Sequence, residues 1–196
     1  VLDKRCCAYQ RRKEATEKAT VHLEVMVKRI LSAGVSVQYL LMDSWFTMPA
    51  TVATLAQHLK VIGMVKKSPN IHYSYNGQSL DLKAIYRRLR KRRGRAKILA
   101  SADVVLKDEV SAKLVFVRDK RKKDWLALLS TDTKLADEDV VRIYGKRWDI
   151  EVFFKMAKQH LKLAKEIQCR DFDALIAHTT IVFMRYMFLT YQCRME

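Results

Sequence analysis

The chain's 196 residues are enough for one domain of roughly 150 residues with a smaller module inserted in it, and a 49% hydrophobic content with five Gly and two Pro excludes a disordered tail or low-complexity linker. Lys and Arg number 38 against 21 Asp and Glu, and the formal charge of +17 points to a polyanionic partner, nucleic acid before membrane. Four cysteines form no CxxC pair and five histidines lack the short spacing of a zinc site, so reduced thiols in a cytosolic compartment are expected.

In chain order, Arg12 to Ala33 reads as a helix with Val21, Val25 and Ile30 recurring at helical spacing and Gly34 as its C-cap. Val35 to Met42 is a short apolar run expected to form a strand buried on both faces, stopping at Asp43-Ser44-Trp45-Phe46. Pro49 sits at a helix start that continues through Leu59, and Val61 to Lys66 is a second strand. Helix, strand, helix, strand is an α/β pattern.

The middle is richer in strands. Ile71 to Tyr75 and Gln78 to Leu82 flank Asn76-Gly77, the signature of a hairpin with a primed turn. Leu82 to Arg92 reads as a very basic helix, and strand-like runs follow at Lys97 to Leu106, Lys113 to Arg118 and Trp125 to Ser130. This suggests a β-rich insertion at about 70–132. Helical patterns return near Asp137 to Gly145, over Arg147 to Leu161 and from Phe172 to the end. The opening Val-Leu-Asp-Lys-Arg carries no charged-then-apolar leader, so no signal peptide is expected. The apolar stretch Ala174 to Tyr191 is interrupted by His178 and Arg185 and is expected to be a buried helix rather than a membrane span.

Chemistry concentrates in Tyr144 to Lys158. On one helix, residues 144, 147, 151, 155 and 158 fall on a single stripe, lining up Tyr, Arg, Glu, Lys and Lys, with Ile150, Val152, Phe153, Met156 and Ala157 opposite as a core face. A carboxylate among cations can hold a metal ion and phosphates together. Equally, Arg147 and Glu151 can form an ordinary i, i+4 surface pair. A second acid, Asp43, follows an apolar strand, where a carboxylate serves either as a metal ligand or as a turn former. Asp3, in Asp3-Lys4-Arg5 with no strand before it, reads as a solvated loop residue.

Tyr144, Arg147, Glu151 and Lys158, with two, three and six residues intervening, resemble the Tyr-Arg-Glu-Lys signature of bacterial insertion-sequence transposases with a DDE active site, the insertion sequence four family. Leu41 to Phe46 resembles that family's second-aspartate segment, and Trp125 to Asp132 with Arg147 to Glu151 is similar to its C-terminal core. The resemblance implies an RNase H-like α/β fold with a β-rich insertion between the second Asp and the Glu. It implies that Asp43 and Glu151 are catalytic metal ligands for two Mg²⁺ or Mn²⁺ ions, which activate a water or 3′ hydroxyl and stabilise the leaving oxygen of an in-line phosphoryl transfer. It implies phosphate contacts from Tyr144, Arg147 and Lys158, with Trp125 either stacking an extruded base or packing in the core.

The expected partners are double-stranded DNA at inverted-repeat transposon ends, target DNA and a second copy in a synaptic complex, in a bacterial cytoplasm with no membrane role. One departure stands out: no residue here matches the family's first catalytic aspartate or the strand that should carry it. The chain is therefore expected to be a partial domain, 1–196, truncated at its N-terminus and inactive alone. The alternative is a catalytically inactive remnant that only binds DNA. The run Tyr86 to Lys97 is either a solvated face or a phosphate contact, and carries no base specificity.

Overall fold

The computed structural model describes residues 3–119, 124–165 and 167–195. The first two residues of the opening and the final residue of the last predicted helix lie outside that range. The chain divides into two compact units, one of residues 18–146 and one of residues 1–17 with 147–196.

The first unit is built on a mixed sheet. In chain order it holds α2 (Ala19–Ser32), β1 (Tyr39–Met42), α3 (Pro49–Ala56), β2 (Lys60–Val65), β3 (His72–Tyr75), β4 (Gln78–Asp81), α4 (Leu82–Arg88), β5 (Ile98–Val105), β6 (Ser111–Asp119), β7 (Asp124–Ser130) and α5 (Asp137–Gly145). The strand order is β1-β2-β7-β6-β5-β3-β4. Only β1 and β2 run parallel, as a strand–helix–strand crossover through α3 requires; every other neighbour is antiparallel. The strands of the predicted insertion continue the same sheet, because β7 hydrogen-bonds directly to β2.

Alternation along β6 and β7 sorts the core onto two faces. Leu114, Phe116, Ala127 and Leu129 point toward the side covered by α3 and α4, joining Val52, Leu55, Leu82 and Ile85. Val115, Val117 and Leu128 point to the other side, where Ile62, Ile98 and Val140 of α5 meet them. Both faces are buried, so the α/β expectation holds. The Asn76-Gly77 hairpin also forms, with φ of 49° and 75° at the two turn residues, the left-handed pair a primed turn demands.

Several boundaries differ from the sequence reading. The predicted helix from Arg12 to Ala33 is two helices, α1 (Cys7–Thr16) and α2, separated by extended backbone at Glu17 and Lys18. The buried side of α2 is Leu23, Val27 and Leu31, spaced by four, while Val21, Val25 and Ile30 face solvent. Both sets have helical spacing, and α3 packs on the first. The strand predicted from Val35 begins only at Tyr39, where pairing with β2 starts. It is an edge strand with one fully buried residue, Met42, because no described strand pairs with its outer side. Helix α4 stops at Arg88 instead of Arg92, after which Leu89 is extended.

The second unit holds α1, α6 (Trp148–Gln159) and α7 (Phe172–Met195). Phe153 of α6 packs edge-on against Phe183 and Tyr186 of α7, each with ring centroids 4.8 Å away. Arg12 of α1 reaches Asp173 at 2.9 Å and lies over the Phe172 ring. The expectation that Ala174 to Tyr191 is a buried helix fails: Val182 is buried, but Met184, Met187 and Phe188 are each about 60% exposed. A helix apolar on every side needs partners all round, and α1 and α6 cannot enclose it. By length and composition it is the one described helix able to cross a membrane, a property shared with core helices of soluble proteins.

Candidate functional site

Asp43 stands immediately after β1, at the end toward which the parallel pair β1 and β2 runs. Its Oδ1 accepts a hydrogen bond from Trp45 N at 2.9 Å, and its carbonyl accepts from Phe46 N, Thr47 N and the Thr47 hydroxyl, the last at 2.6 Å. The strand end is thereby folded into a tight Asx-type turn. The other carboxylate oxygen makes no hydrogen bond among the described residues, leaving a hard oxygen donor at a fixed place.

The turn is held from below. Thr47 is fully buried across Gly63 of β2, the strand partner of Met42, and a side-chain carbon added at Gly63 would stand 2.7 Å from Thr47 Cγ2. Glycine is required there for close approach rather than for an unusual backbone angle. Sequence reasoning missed both Thr47 and Gly63. An isolated Gly inside a strand pattern was the available signal.

Tyr39, at the other end of β1, donates its hydroxyl to Asp132 Oδ2 at 3.0 Å, and that bond to a carboxylate raises the phenol above its ordinary pKa. The contact passes from β1 to the segment after β7 and so pins the edge strand to the interior of the sheet.

The signature residues divide between the units. Tyr144 lies in α5, half-buried against the Val140 side of the sheet core. Arg147, Glu151 and Lys158 belong to the helical unit, where Arg147 is the N-cap residue of α6. Tyr144 lies in the last turn of α5 and Glu151 in the first turn of α6, the two helices that the sequence reading also separates. Within α6, Arg147 Nη2 is 3.7 Å from Glu151 Oε1, a loose i, i+4 pair in which the carboxylate is about half exposed. Such a pair contributes on the order of 0.3–0.5 kcal/mol, so it leaves Glu151 open to other ligands. Lys158 is exposed and makes no ion pair among the described residues. The predicted core face of α6 reduces to Phe153 and Ala157, since Ile150, Val152 and Met156 are 41–50% exposed.

Trp125, the second residue of β7, lies inside an aromatic group. Tyr86 packs on it with centroids 4.6 Å apart, Phe116 meets it edge-on at 5.2 Å, and Lys67 Nζ lies 4.0 Å from its ring centroid. Trp125 is thus half-buried, packed on Tyr86 and Phe116, and also lines an open hollow beside α4. Asp3 is tied to Arg5 in an exposed loop, and the guanidinium holds its carboxyl below the usual range.

Asp43 and Glu151 offer the carboxylate oxygens that Mg²⁺ or Mn²⁺ prefers. Among the described residues no group of three or more His, Cys, Asp or Glu gathers in one place. The donor chemistry fits a divalent metal, while the two donors belong to different units.

No curated protein and no solved structure matches the chain. The family model described as the transposase DDE domain matches residues 8–188, which takes in all of the sheet unit, most of the helical unit, and Asp43, Trp125, Tyr144, Arg147, Glu151 and Lys158. With nearly its whole length matched, the chain belongs to the transposase DDE domain family.

Proposed function

We propose that this chain carries the second and third metal-binding carboxylates, Asp43 and Glu151, of an insertion-sequence transposase of the insertion sequence four family. The observation that carries this reading is the Asp43 carboxylate, fixed by a tight turn at a strand end with one oxygen free. Bound there, Mg²⁺ or Mn²⁺ would supply Lewis-acid activation of an attacking water or 3′ hydroxyl and stabilise the leaving oxygen. The chain's own residues then orient the DNA. Arg147 forks onto a phosphate, Lys158 supplies a point charge and Tyr144 donates a hydroxyl. The substrates are inverted-repeat ends and target DNA, handled by two copies in a synaptic complex in the bacterial cytoplasm.

The charge of +17 and the match to the family both support DNA as the partner. The second reading is a remnant that binds DNA without cutting it, since a charge of +17 calls for a polyanion but not for chemistry on it. The two separate in one experiment, Mg²⁺-dependent cleavage of supercoiled plasmid by the full-length protein. Glu151→Gln and Asp43→Asn are each expected to abolish cutting while DNA affinity stays within a few-fold. Retained cutting in either variant rejects that residue's assignment. Binding without cutting by the unsubstituted full-length protein establishes the remnant.

A further inference from the structure

The sheet unit has a second charged feature that the signature residues do not use. Between α4 and the start of β7 lies a hollow of about 370 Å³ lined, among the described residues, by Lys67, Lys83, Tyr86, Arg87, Asp124 and Trp125. A neighbouring hollow of about 700 Å³ shares Tyr86, Asp124 and Trp125 and extends past Lys91, Arg92, Leu99, Arg118 and Asp119. Together they form a groove floored by the Tyr86–Trp125 pair. From Leu82 to Lys97 the chain has nine basic residues and no acidic one, so its α4 wall is strongly positive.

Not all of these cations are free. Lys67 pairs with Asp124 at 2.6 Å, and Arg92 with Asp137 and Glu138 at 3.2 and 3.3 Å. Lys83 and Arg87 are exposed and make no ion pair among the described residues. Lys91 is held 5.0 Å from the centroid of the Tyr86 ring and donates to the Arg87 carbonyl. Arg118 donates to the carbonyls of Gly94 and Ala96, which orient the guanidinium without neutralising it. The groove therefore presents Lys83, Arg87, Lys91 and Arg118 with no ion pair among the described residues, two of them anchored, and its lining keeps a cationic excess over Asp119 and Asp124.

We propose that this groove grips the phosphate backbone of duplex DNA without regard to sequence, as a contact surface separate from Tyr144, Arg147 and Lys158. This inference rests on DNA being the chain's substrate. The ligand is backbone rather than base because Tyr86 and Trp125 already pack on each other and on Phe116, while the rest of the lining is mainly cationic. A duplex offers one negative charge per about 1.7 Å of axis, dense enough for four cations in one groove. The placement is also apt. Asp43 and Trp125 stand toward the same end of the sheet, and counting register rows and strands puts them roughly 15 Å apart. DNA held in the groove lies within a few base pairs of Asp43.

The test is duplex binding by the full chain in chelator, so that no cleavage occurs, using a random-sequence duplex across a salt series. Lys83→Gln with Arg87→Gln is expected to flatten the slope of log affinity against log salt by about 1.8, since each lost phosphate contact removes about 0.9. Affinity should fall equally for unrelated sequences. The control, Lys107→Gln with Lys134→Gln, removes the same charge from exposed positions outside the groove. An unchanged slope in the first pair, or an equal change in the control pair, overturns the groove. No duplex binding by the unsubstituted chain overturns DNA as the partner, and the groove with it.

Discussion

The sheet unit and the helical unit solve the burial problem differently. In residues 18–146 the apolar side chains alternate into two packed faces, whereas in the helical unit Ala157 and Val182 are the only buried apolar residues among those described. Trp148, Phe154, Met184, Met187 and Phe188 of that unit all stand in solvent. The contrast teaches that a period-two pattern in paired strands closes a core by itself, while an all-round apolar helix such as α7 depends on neighbours for its burial.

Truncation of one aromatic in each unit gives the largest contrast. Phe116→Ala removes a fully buried ring and is expected to cost about 3–5 kcal/mol, measured by urea denaturation. Phe188→Ala, at an exposed site on α7, should stay within about 0.5 kcal/mol. Equal losses would mean that α7 is packed in solution. A smaller effect tests the turn that holds Asp43. Gly63→Ala is expected to cost about 1–3 kcal/mol through overpacking, and much less in a Thr47→Ala background, where the obstructing side chain is gone. Additive losses would place the strain elsewhere than Thr47.

The smallest effect concerns the helices that back the sheet. Glu24 of α2 accepts from Lys28 at 2.7 Å and from His58 at 3.1 Å, just past α3, and these bonds, that of Lys28 first, lower its pKa. A depressed carboxyl pKa gives stability that is present above the ordinary value of 4.5 and is lost as pH falls through the folded value. Glu24→Gln should therefore show a flatter loss of stability with acid than the parent chain. Parallel acid profiles would show that the pair contributes nothing measurable.

Much of the sheet was legible because its strands are short apolar runs with turn residues between them, and the Asn76-Gly77 hairpin and β5 to β7 were found where their patterns lie. The α2 face was not, since Val21, Val25 and Ile30 recur at a near-helical spacing of their own beside the set that α3 covers. The break at Glu17 and Lys18 carries no Gly or Pro to announce it. Asp43 was visible as an acid ending an apolar strand, and Tyr144, Arg147, Glu151 and Lys158 were singled out by their resemblance to a family signature, since spacing alone left an ordinary surface pair open. Thr47 and Gly63 were hidden, and the groove was legible only as the basic run Tyr86 to Lys97, because Lys67, Lys83 and Trp125 are distant in sequence and meet only once β2, α4 and β7 are in place.

The strand order also dictates a sequence of assembly. β5, β6 and β7 follow one another through short connections, but β2 reaches β7 only when Val65 finds Ala127, closing a long loop whose entropy must be met before the pairing is gained. β1 has no described strand neighbour other than β2, so its pairing in the sheet waits on that closure. The meander is expected to form first, and pulsed hydrogen exchange would see the β6 amides protected before those of β1. The carboxylate at the centre of the proposed chemistry thus sits at the end of the strand that enters the sheet through its pairing of longest sequence separation.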